Sequence, residues 1–201
     1  RLALRWFDRL LKDQETGILD EPPITLFVMG KNEWRHEREW PLARTRYTDY
    51  YLHSSGHAGT DLGDGSLSTE PPGRESQDPF VYDPDDPVPT IGGNHSICWP
   101  DAFHVIQPGP FDQRQVQSRP DVLTYTTDYL DEDLELTGPV VLHLFAATDA
   151  PDTDWTAKLT DVYPDGRAIN ITEGNIRARF RKSIYAEPEL LQSGRIYEYM
   201  I

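Results

Sequence analysis

The spacing of apolar residues at the start of the chain predicts one amphipathic helix. Apolar side chains recur there at intervals of three and four residues, which places them along a single helix face. Gly17 and the pair Pro22–Pro23 then mark a break, because both residue types interrupt helices. The predicted apolar face consists of Ala3, Trp6, Phe7, Leu10 and Leu11.

Beyond this helix, short apolar segments alternate with turns rich in Pro and Gly, a pattern typical of an all-β fold. Residues 24–29 are mostly apolar and β-branched, which predicts a strand buried on both faces. Residues 54–86 are rich in Gly, Ser, Asp and Pro and predict a long connection with brief strands near Leu67 and Val81. Further strands are predicted at 47–52, 122–127, 140–147 and 196–201.

The clearest hairpin joins residues 156–163 to residues 168–172 through Pro164-Asp165-Gly166. Proline presets the backbone angle of such a turn, and glycine supplies its positive φ. About eight strands behind one helix predict a mainly β fold, a jelly-roll β-sandwich of the galactose-binding-like type. The helix begins without a capping residue and the last strand stops in mid-run, so we interpret the chain as a piece of a longer polypeptide.

Residues 175–181 alternate strictly between apolar and polar side chains, which predicts a strand with one buried face. Two interpretations of its exposed arginines remain open. Cross-strand pairing with acidic residues is favoured, and an anion or carboxylate site is the alternative. The strand would bury Ile176, Ala178 and Phe180 and expose Arg177, Arg179 and Arg181.

Composition and charge narrow the choice of partners. The 201 residues include 37% hydrophobic and 11% aromatic residues, as in a folded globular protein. A net charge of −15 argues against nucleic acid and anionic membrane surfaces, since both are negatively charged. No apolar run approaches the roughly 20 residues of a membrane span. The single cysteine, Cys98, excludes an intrachain disulfide and leaves the compartment open between cytoplasmic and secreted.

The residues alone do not assemble a recognisable active site. No serine lies in the Gly-x-Ser-x-Gly pattern of a nucleophile elbow. His53 and His57 have the spacing of a helical metal pair, but Ser54-Ser55-Gly56 between them disfavours a helix. The acidic runs at 83–87 and 149–154 have the short spacing of calcium sites, although turns and strand-end caps account for them more simply. We expect no metal and no cofactor.

Eight stretches, taken together and in order, carry a family pattern. They are 5–12 (RWFDRLLK), 27–35 (FVMGKNEWR), 40–43 (WPLA), 82–93 (YDPDDPVPTIGG), 111–114 (FDQR), 119–123 (RPDVL), 152–159 (DTDWTAKL) and 161–168 (DVYPDGRA). They resemble the CocE/NonD family of serine hydrolases, which includes cocaine esterases and, more distantly, the Xaa-Pro dipeptidyl-peptidases.

The resemblance implies that this chain is one part of a longer protein with separate domains. Family members combine an α/β-hydrolase domain that carries a Ser-Asp-His triad, a helical cap and a C-terminal jelly roll. Residues 1–22 would then be the terminal helix and linker of the hydrolase domain, and residues 23–201 an incomplete jelly roll. Because all three triad residues lie upstream in this layout, no catalytic residue is assigned to this chain. Implied partners are the hydrolase and cap domains and a small ester or amide substrate. Whether the protein also forms a homodimer is left open.

The resemblance also implies one contact with substrate. In related members, the loop after the Pro-Val-Pro-x-x-Gly-Gly stretch helps to enclose the acyl group. Ser96 and Ile97 occupy the corresponding positions here. Ser96 stands where the family example has a large apolar side chain, which argues against a preference for aromatic acyl groups.

Two alternative functions are left open by the sequence. A carbohydrate-binding module would use exposed aromatic platforms, for which Trp34, Trp40, Trp99 and Trp155 are available. The resemblance places Trp34, Trp40 and Trp155 in shared structural motifs and implies that they are packed. A purely structural domain that completes the hydrolase interface is the other possibility, with the first helix packed against the hydrolase domain.

Overall fold

The computed structural model describes residues 1–59, 63–94 and 107–201, and within these ranges the chain is mainly β with two helices. Every strand pairs with one neighbour in an antiparallel arrangement, which is consistent with the predicted β-sandwich. The elements are α1 (Leu2–Lys12), β1 (Ile24–Val28), β2 (Glu33–Glu37), β3 (Tyr51–His53), β4 (Ser66–Ser68), α2 (Arg114–Gln117), β5 (His143–Ala146), β6 (Asp154–Val162), β7 (Ala168–Arg177) and β8 (Tyr197–Met200).

The chain forms two compact units. The first contains residues 1–47 and 133–140, with α1 and the β1–β2 hairpin. The second contains residues 48–132 and 141–201, with all the other elements. The domain boundary predicted between residues 22 and 23 stays a prediction.

Helix α1 forms as the apolar spacing predicts, but no residue of it is buried. Its polar side is held by ion pairs one turn apart, from Lys12 to Asp8 at 2.7 Å and from Arg9 to Asp13 at 2.5 Å. Arg5 ties the helix to the segment that follows through hydrogen bonds to the Thr16 carbonyl and the Glu21 carboxylate. The large side chains of the apolar face, Trp6, Phe7, Leu10 and Leu11, all remain exposed.

Strand β1 confirms the predicted strand at 24–29, but the prediction that both of its faces are buried is wrong. Burial alternates along the strand, with Phe27 exposed. Thr25 and Phe27 point to the same face and both are exposed, so only one face of the β1–β2 hairpin is shielded. The segment 133–140 supports this hairpin through Glu135, which accepts two hydrogen bonds from the Arg35 guanidinium at 2.7 and 3.1 Å.

The β6–β7 hairpin confirms the strongest prediction from the sequence. The two strands pair from Asp154↔Arg177 at the open end to Val162↔Ala168 beside the turn. The register shifts between Leu159 and Thr160. Gly166 has φ 84°, as the predicted turn requires. This hairpin is the longest in the described residues and provides the scaffold on which the neighbouring loops rest.

The core of the second unit lies between β5, β8 and the end of β7. Tyr199 of β8 is 1% exposed, and its ring lies 5.7 Å from that of Trp155. Opposite faces of these strands point outward, so that Phe145 of β5 is exposed. The buried members are Ala178, Leu191 and Tyr199, with Leu144, Ala146, Trp155, Ile176 and Tyr197 packed around them.

Several predicted strands are shorter than expected or absent. No strand forms at Val81, which is exposed, and residues 122–127 contribute one isolated bridge, from Thr126 to Ser66. The strand predicted to run through residue 181 ends at Arg177 and continues as a 3₁₀ turn over Ala178–Phe180. Ala178 is nevertheless fully buried, as the alternation predicts.

Candidate functional site

The two predicted substrate contacts, Ser96 and Ile97, lie outside the described residues, as do Cys98 and Trp99. The structure does describe both ends of the segment that contains them. Its first end is the run Gly92-Gly93-Asn94, and its second end begins at Gln107. The candidate site is therefore defined here by the base of this segment.

A pair of glycines joins the two ends of the segment. The Gly93 N–H donates to the Gly109 carbonyl and the Gly109 N–H donates to the Gly93 carbonyl, both at 2.9 Å. Gly92 and Gly93 have φ values of 64° and 113°, a region that favours glycine. A Cβ at Gly92 would lie 2.5 Å from the Gly109 carbonyl oxygen, so only glycine allows this approach.

Glu173 of β7 lies directly against this glycine pair. Its Oε1 accepts a hydrogen bond from the Asn94 N–H at 3.3 Å. Its Oε2 lies 3.1 Å from the Lys158 ammonium, which is directly opposite on β6. Both side chains are about four-fifths shielded from solvent. The carboxylate therefore links the base of the segment to the β6–β7 hairpin.

Gln113 connects Lys158 to the backbone on both sides of the segment. It is 1% exposed, and its Oε1 accepts a hydrogen bond from Lys158 at 3.2 Å. Its Nε2 donates to the carbonyls of Ile91 and Phe111 at 2.9 and 3.0 Å. Asn170 of β7 accepts from the Phe111 N–H at 2.6 Å. Both ends of the segment are thus fixed to one hairpin by polar side chains that are largely or wholly buried.

A second polar cluster lies around Ser54, just after β3. The Ser54 hydroxyl oxygen lies 2.7 Å from a carboxylate oxygen of Asp64 and 2.7 Å from one of Asp78. The Ser54 hydroxyl, with the N–H groups of Ser55 and His57, lowers the pKa of Asp64 to about 2. The pKa of Tyr125 is raised, first because its hydroxyl is partly buried and second because that hydroxyl donates a hydrogen bond to the Asp78 carboxylate. These contacts close a turn in which two carboxylates engage the Ser54 hydroxyl.

All three arginines are paired with acids, but only Arg177 pairs across the hairpin as the favoured interpretation predicts, because the strand ends at that residue. The expectation that Arg181 is exposed is wrong, since its side chain is largely shielded by the segment that contains Glu189. Arg177 donates twice to Asp154, its partner across the hairpin, at 2.8 and 2.9 Å. Arg179 lies 3.3 Å from Asp152, and Arg181 lies 3.0 Å from Glu189. Two of these pairs occupy the Asp152 and Asp154 carboxylates of the acidic run 149–154, and Asp152 also accepts a hydrogen bond from the Arg179 N–H.

The remaining metal candidates have other partners. His53 lies in β3, where its Nδ1 is 2.7 Å from Glu75 and its Nε2 is 3.1 Å from the Ser68 hydroxyl. In the run 83–87, Asp83 accepts the Asp85 N–H in a turn. No group of three or more His, Cys, Asp or Glu residues within the described ranges is arranged to hold a metal ion.

The tryptophans divide into two groups. Trp155 is packed between Phe80 and Tyr199, as expected for a shared structural residue. The expectation that Trp34 and Trp40 are packed is wrong within the described residues, because their side chains are 69% and 50% exposed. Trp34 lies against Phe27, its register partner in the β1–β2 hairpin, with ring centroids 5.2 Å apart.

Sequence reasoning missed the support formed by Gln113, Lys158 and Glu173. One signal was present: Gly92-Gly93 in the middle of a strand-rich region marks a close approach of backbone to another group. The identity of that group depends on the register of β6 and β7, which no local pattern specifies. No helix in the described part of the chain is both long and apolar enough to cross a membrane.

Comparison with known proteins identifies the family to which the chain belongs. Residues 16–201 match the model of the X-Pro dipeptidyl-peptidase C-terminal non-catalytic domain. The chain is 46% identical over 196 residues to a cocaine esterase from Rhodococcus sp. (strain MB1 Bresler), which is 98% of this chain and 33% of that protein. It is 33% identical over 180 residues to proteins of Mycobacterium bovis and Mycobacterium tuberculosis that are each assigned as a serine esterase.

These matches place the chain within larger proteins. It spans about a third of the cocaine esterase and 26% of each mycobacterial relative. The family model covers nearly the whole chain and describes a domain that is itself non-catalytic. The chain therefore belongs to the X-Pro dipeptidyl-peptidase C-terminal non-catalytic domain family, as found in hydrolases of the CocE/NonD group.

Proposed function

We propose that this chain is the C-terminal jelly-roll part of a serine hydrolase that acts on ester or amide bonds, with Xaa-Pro dipeptidyl bonds among the candidates. The observation that carries this proposal is the 46% identity to a cocaine esterase over 98% of the chain. The names of the mycobacterial relatives point to the same class of enzyme. Hydrolysis would proceed by acyl transfer to a serine of the triad outside this chain, followed by attack of water.

The proposed contribution of the chain is structural, with one contact to substrate. The exposed face of α1 would be covered by the α/β-hydrolase domain, since exposed apolar surface on this scale usually marks an interface. Ser96 and Ile97 would line the acyl pocket from the segment between Gly93 and Gly109. This pocket would suit a compact acyl group, because Ser96 offers little apolar surface.

Labelling with a serine-directed phosphonate tests this proposal. The intact protein is expected to form one covalent adduct per active site, detected by mass spectrometry. The 201-residue chain alone is expected to form none, because it carries no nucleophile elbow. An adduct on a serine of this chain would contradict the proposal, as would an intact protein that remains unlabelled.

A carbohydrate-binding module is the second candidate, favoured by the exposure of Trp34 beside Phe27. Such a platform stacks a sugar ring on its aromatic face. A saturable change in tryptophan fluorescence on titration with oligosaccharides, lost in Trp34→Ala, would support it. No change in fluorescence would exclude it and leave the hydrolase assignment in place.

A further inference from the structure

Residues 133–140 belong to the first unit although they come from far along the sequence, and we call this segment the strap. None of its backbone N–H or C=O groups bonds another backbone group within residues 1–59, 63–94 and 107–201. Its two leucines, Leu134 and Leu136, are each 52% exposed. The strap is therefore held to the first unit through side chains and not through a sheet or a helix.

The Glu135 carboxylate makes most of the contacts that hold the strap. Its two oxygens accept hydrogen bonds from the two terminal nitrogens of the Arg35 guanidinium at 2.7 and 3.1 Å, a charge-assisted pair. One of these oxygens also accepts from the Thr137 hydroxyl at 2.8 Å, and the other lies 3.8 Å from the Lys31 ammonium. A further hydrogen bond runs from the Thr45 hydroxyl to the Thr137 carbonyl at 2.9 Å.

Arg35 has partners on the hairpin that do not depend on the strap. It lies in β2, and its Nε is 2.7 Å from the Glu37 carboxylate. Glu37 is buried and also pairs with Arg44. Loss of the charge on Glu135 would thus remove the main attachment of the strap while Arg35 keeps its ion pair with Glu37. The hairpin provides a fixed cation, and the strap provides a carboxylate that can leave it.

Apolar burial contributes little to this attachment. Among the described residues of the first unit, the buried hydrophobic side chains are Ile18 and Leu42, and neither lies in the strap. The carboxylate of Glu135 and the guanidinium of Arg35 are each about a third exposed, so that dissolved ions reach them. An attachment of this kind weakens as ionic strength rises, because salt screens exposed charges.

We propose that the strap detaches from the β1–β2 hairpin and re-attaches to it as a local event, with the Arg35–Glu135 ion pair as the attachment that salt controls. Detachment leaves β1, β2 and the second unit folded. It opens the one part of the first unit that lies beyond residue 47 in the sequence. This inference does not rest on the proposed function, since it concerns residues of the first unit alone.

Limited proteolysis of the intact protein with chymotrypsin tests the proposal. The protease cleaves after leucine in an extended segment, and mass spectrometry locates cuts after Leu134 and Leu136. When detachment is fast relative to cleavage, the rate follows the detached population. Glu135→Gln is therefore expected to raise the rate at these sites roughly three- to tenfold, because it removes a charged hydrogen-bond acceptor.

The matched control is Asp133→Asn, which removes one negative charge from the same strap. Asp133 is exposed and forms no ion pair with any residue in the described ranges. Its substitution is expected to leave the cleavage rate unchanged. A difference between the two variants thus separates the ion pair from a general effect of charge on the protease.

A salt series on the wild-type protein provides a second measurement that needs no substitution. Raising sodium chloride to about 1 M is expected to accelerate cleavage of the strap in the wild type and to have little effect in Glu135→Gln. A synthetic peptide of residues 129–142 corrects for the effect of salt on the protease itself. Faster cleavage of Glu135→Gln, an unchanged control and a salt effect confined to proteins with Glu135 would support the proposal.

Two results would overturn it. Equal cleavage rates for the wild type and Glu135→Gln, or a wild-type rate that is independent of salt, would show that the ion pair does not control the strap. Cuts that appear outside residues 129–142 at the same rate as those in the strap would show general unfolding in place of local detachment.

Discussion

At the scale of single residues, the core of the second unit depends strongly on Tyr199. Its ring is almost completely buried and packs on Trp155, whereas its hydroxyl group has no hydrogen-bond partner within residues 1–59, 63–94 and 107–201. The ring and the hydroxyl group are therefore expected to contribute very differently to stability. Burial of the aromatic surface is favourable, and burial of an unpaired hydroxyl is not.

Substitutions at this position separate the two contributions. Tyr199→Ala is expected to lower the free energy of unfolding by about 3–5 kcal/mol, because it removes a buried aromatic ring. Tyr199→Phe keeps the ring and is expected to remain within about 1 kcal/mol of the wild type. Urea denaturation followed by tryptophan fluorescence measures both. Equal losses in the two variants would show that the hydroxyl group makes an essential contact.

The candidate site was only partly predictable at this scale. A resemblance to family motifs placed Ser96 and Ile97 after a glycine pair, and the closeness of Gly93 to another group could be anticipated from glycine itself. Glu173 could not be identified in this way, because it lies 80 positions further along the chain. Its contact with Asn94 arises from the pairing of β6 with β7, a long-range feature.

At the scale of elements, prediction succeeded where turn chemistry and periodicity agreed. The β6–β7 hairpin follows from Pro164-Asp165-Gly166 between two alternating segments, and α1 follows from a helical spacing without β-branched residues. Strand burial was harder to predict. Residues 24–29 have the apolar composition of a central strand, yet β1 has a single neighbour and alternates in exposure. Composition does not specify whether one face of a strand is covered or both.

Helix α1 leads to a prediction that compares two forms of the protein. Leu10 lies on the exposed apolar face and is 55% exposed in this chain. If the hydrolase domain covers this face, Leu10→Ala is expected to lower the free energy of unfolding of the intact protein by about 2–5 kcal/mol. In the 201-residue chain the same change is expected to cost about 0.5 kcal/mol or less. Denaturant titration of both forms measures the difference.

The matched control lies on the other side of the same helix. Lys12→Ala removes an exposed ion pair with Asp8 and is expected to have a small effect in both forms, since such surface pairs contribute little. Similar small losses for Leu10→Ala in both forms would show that the face stays uncovered in the intact protein. The helix would then need another explanation for its apolar side.

At the scale of the whole molecule, exposed apolar surface and negative charge occur together. Large side chains such as Leu11 and Tyr185 are exposed, although free-standing domains seldom expose so much apolar surface. Under the proposed function, this surface is contact area within a larger protein. The net charge of −15 then acts on the remaining surface, where it favours solubility and opposes binding to nucleic acid.

Three acidic side chains with lowered pKa values predict how the stability of the protein changes at low pH. Arg114 lowers the pKa of Asp112 to about 2, the Ser54 hydroxyl does the same for Asp64, and Arg35 does so for Glu135. In the unfolded chain these carboxyl groups titrate near 4, so between pH 4 and pH 2 the unfolded state binds more protons. Their contribution to stability is therefore complete above about pH 4 and is lost as the pH falls towards 2.

Asp112→Asn provides the test, because an amide does not titrate. The wild type is expected to be the more stable of the two at neutral pH, and the difference is expected to shrink progressively between pH 4 and pH 2. Arg114→Ala removes the principal cause of the low pKa and is expected to move the loss of stability to higher pH. Urea denaturation at a series of pH values measures both effects. A difference between wild type and Asp112→Asn that is independent of pH would show that the Asp112 carboxylate gains nothing from Arg114 in the folded state.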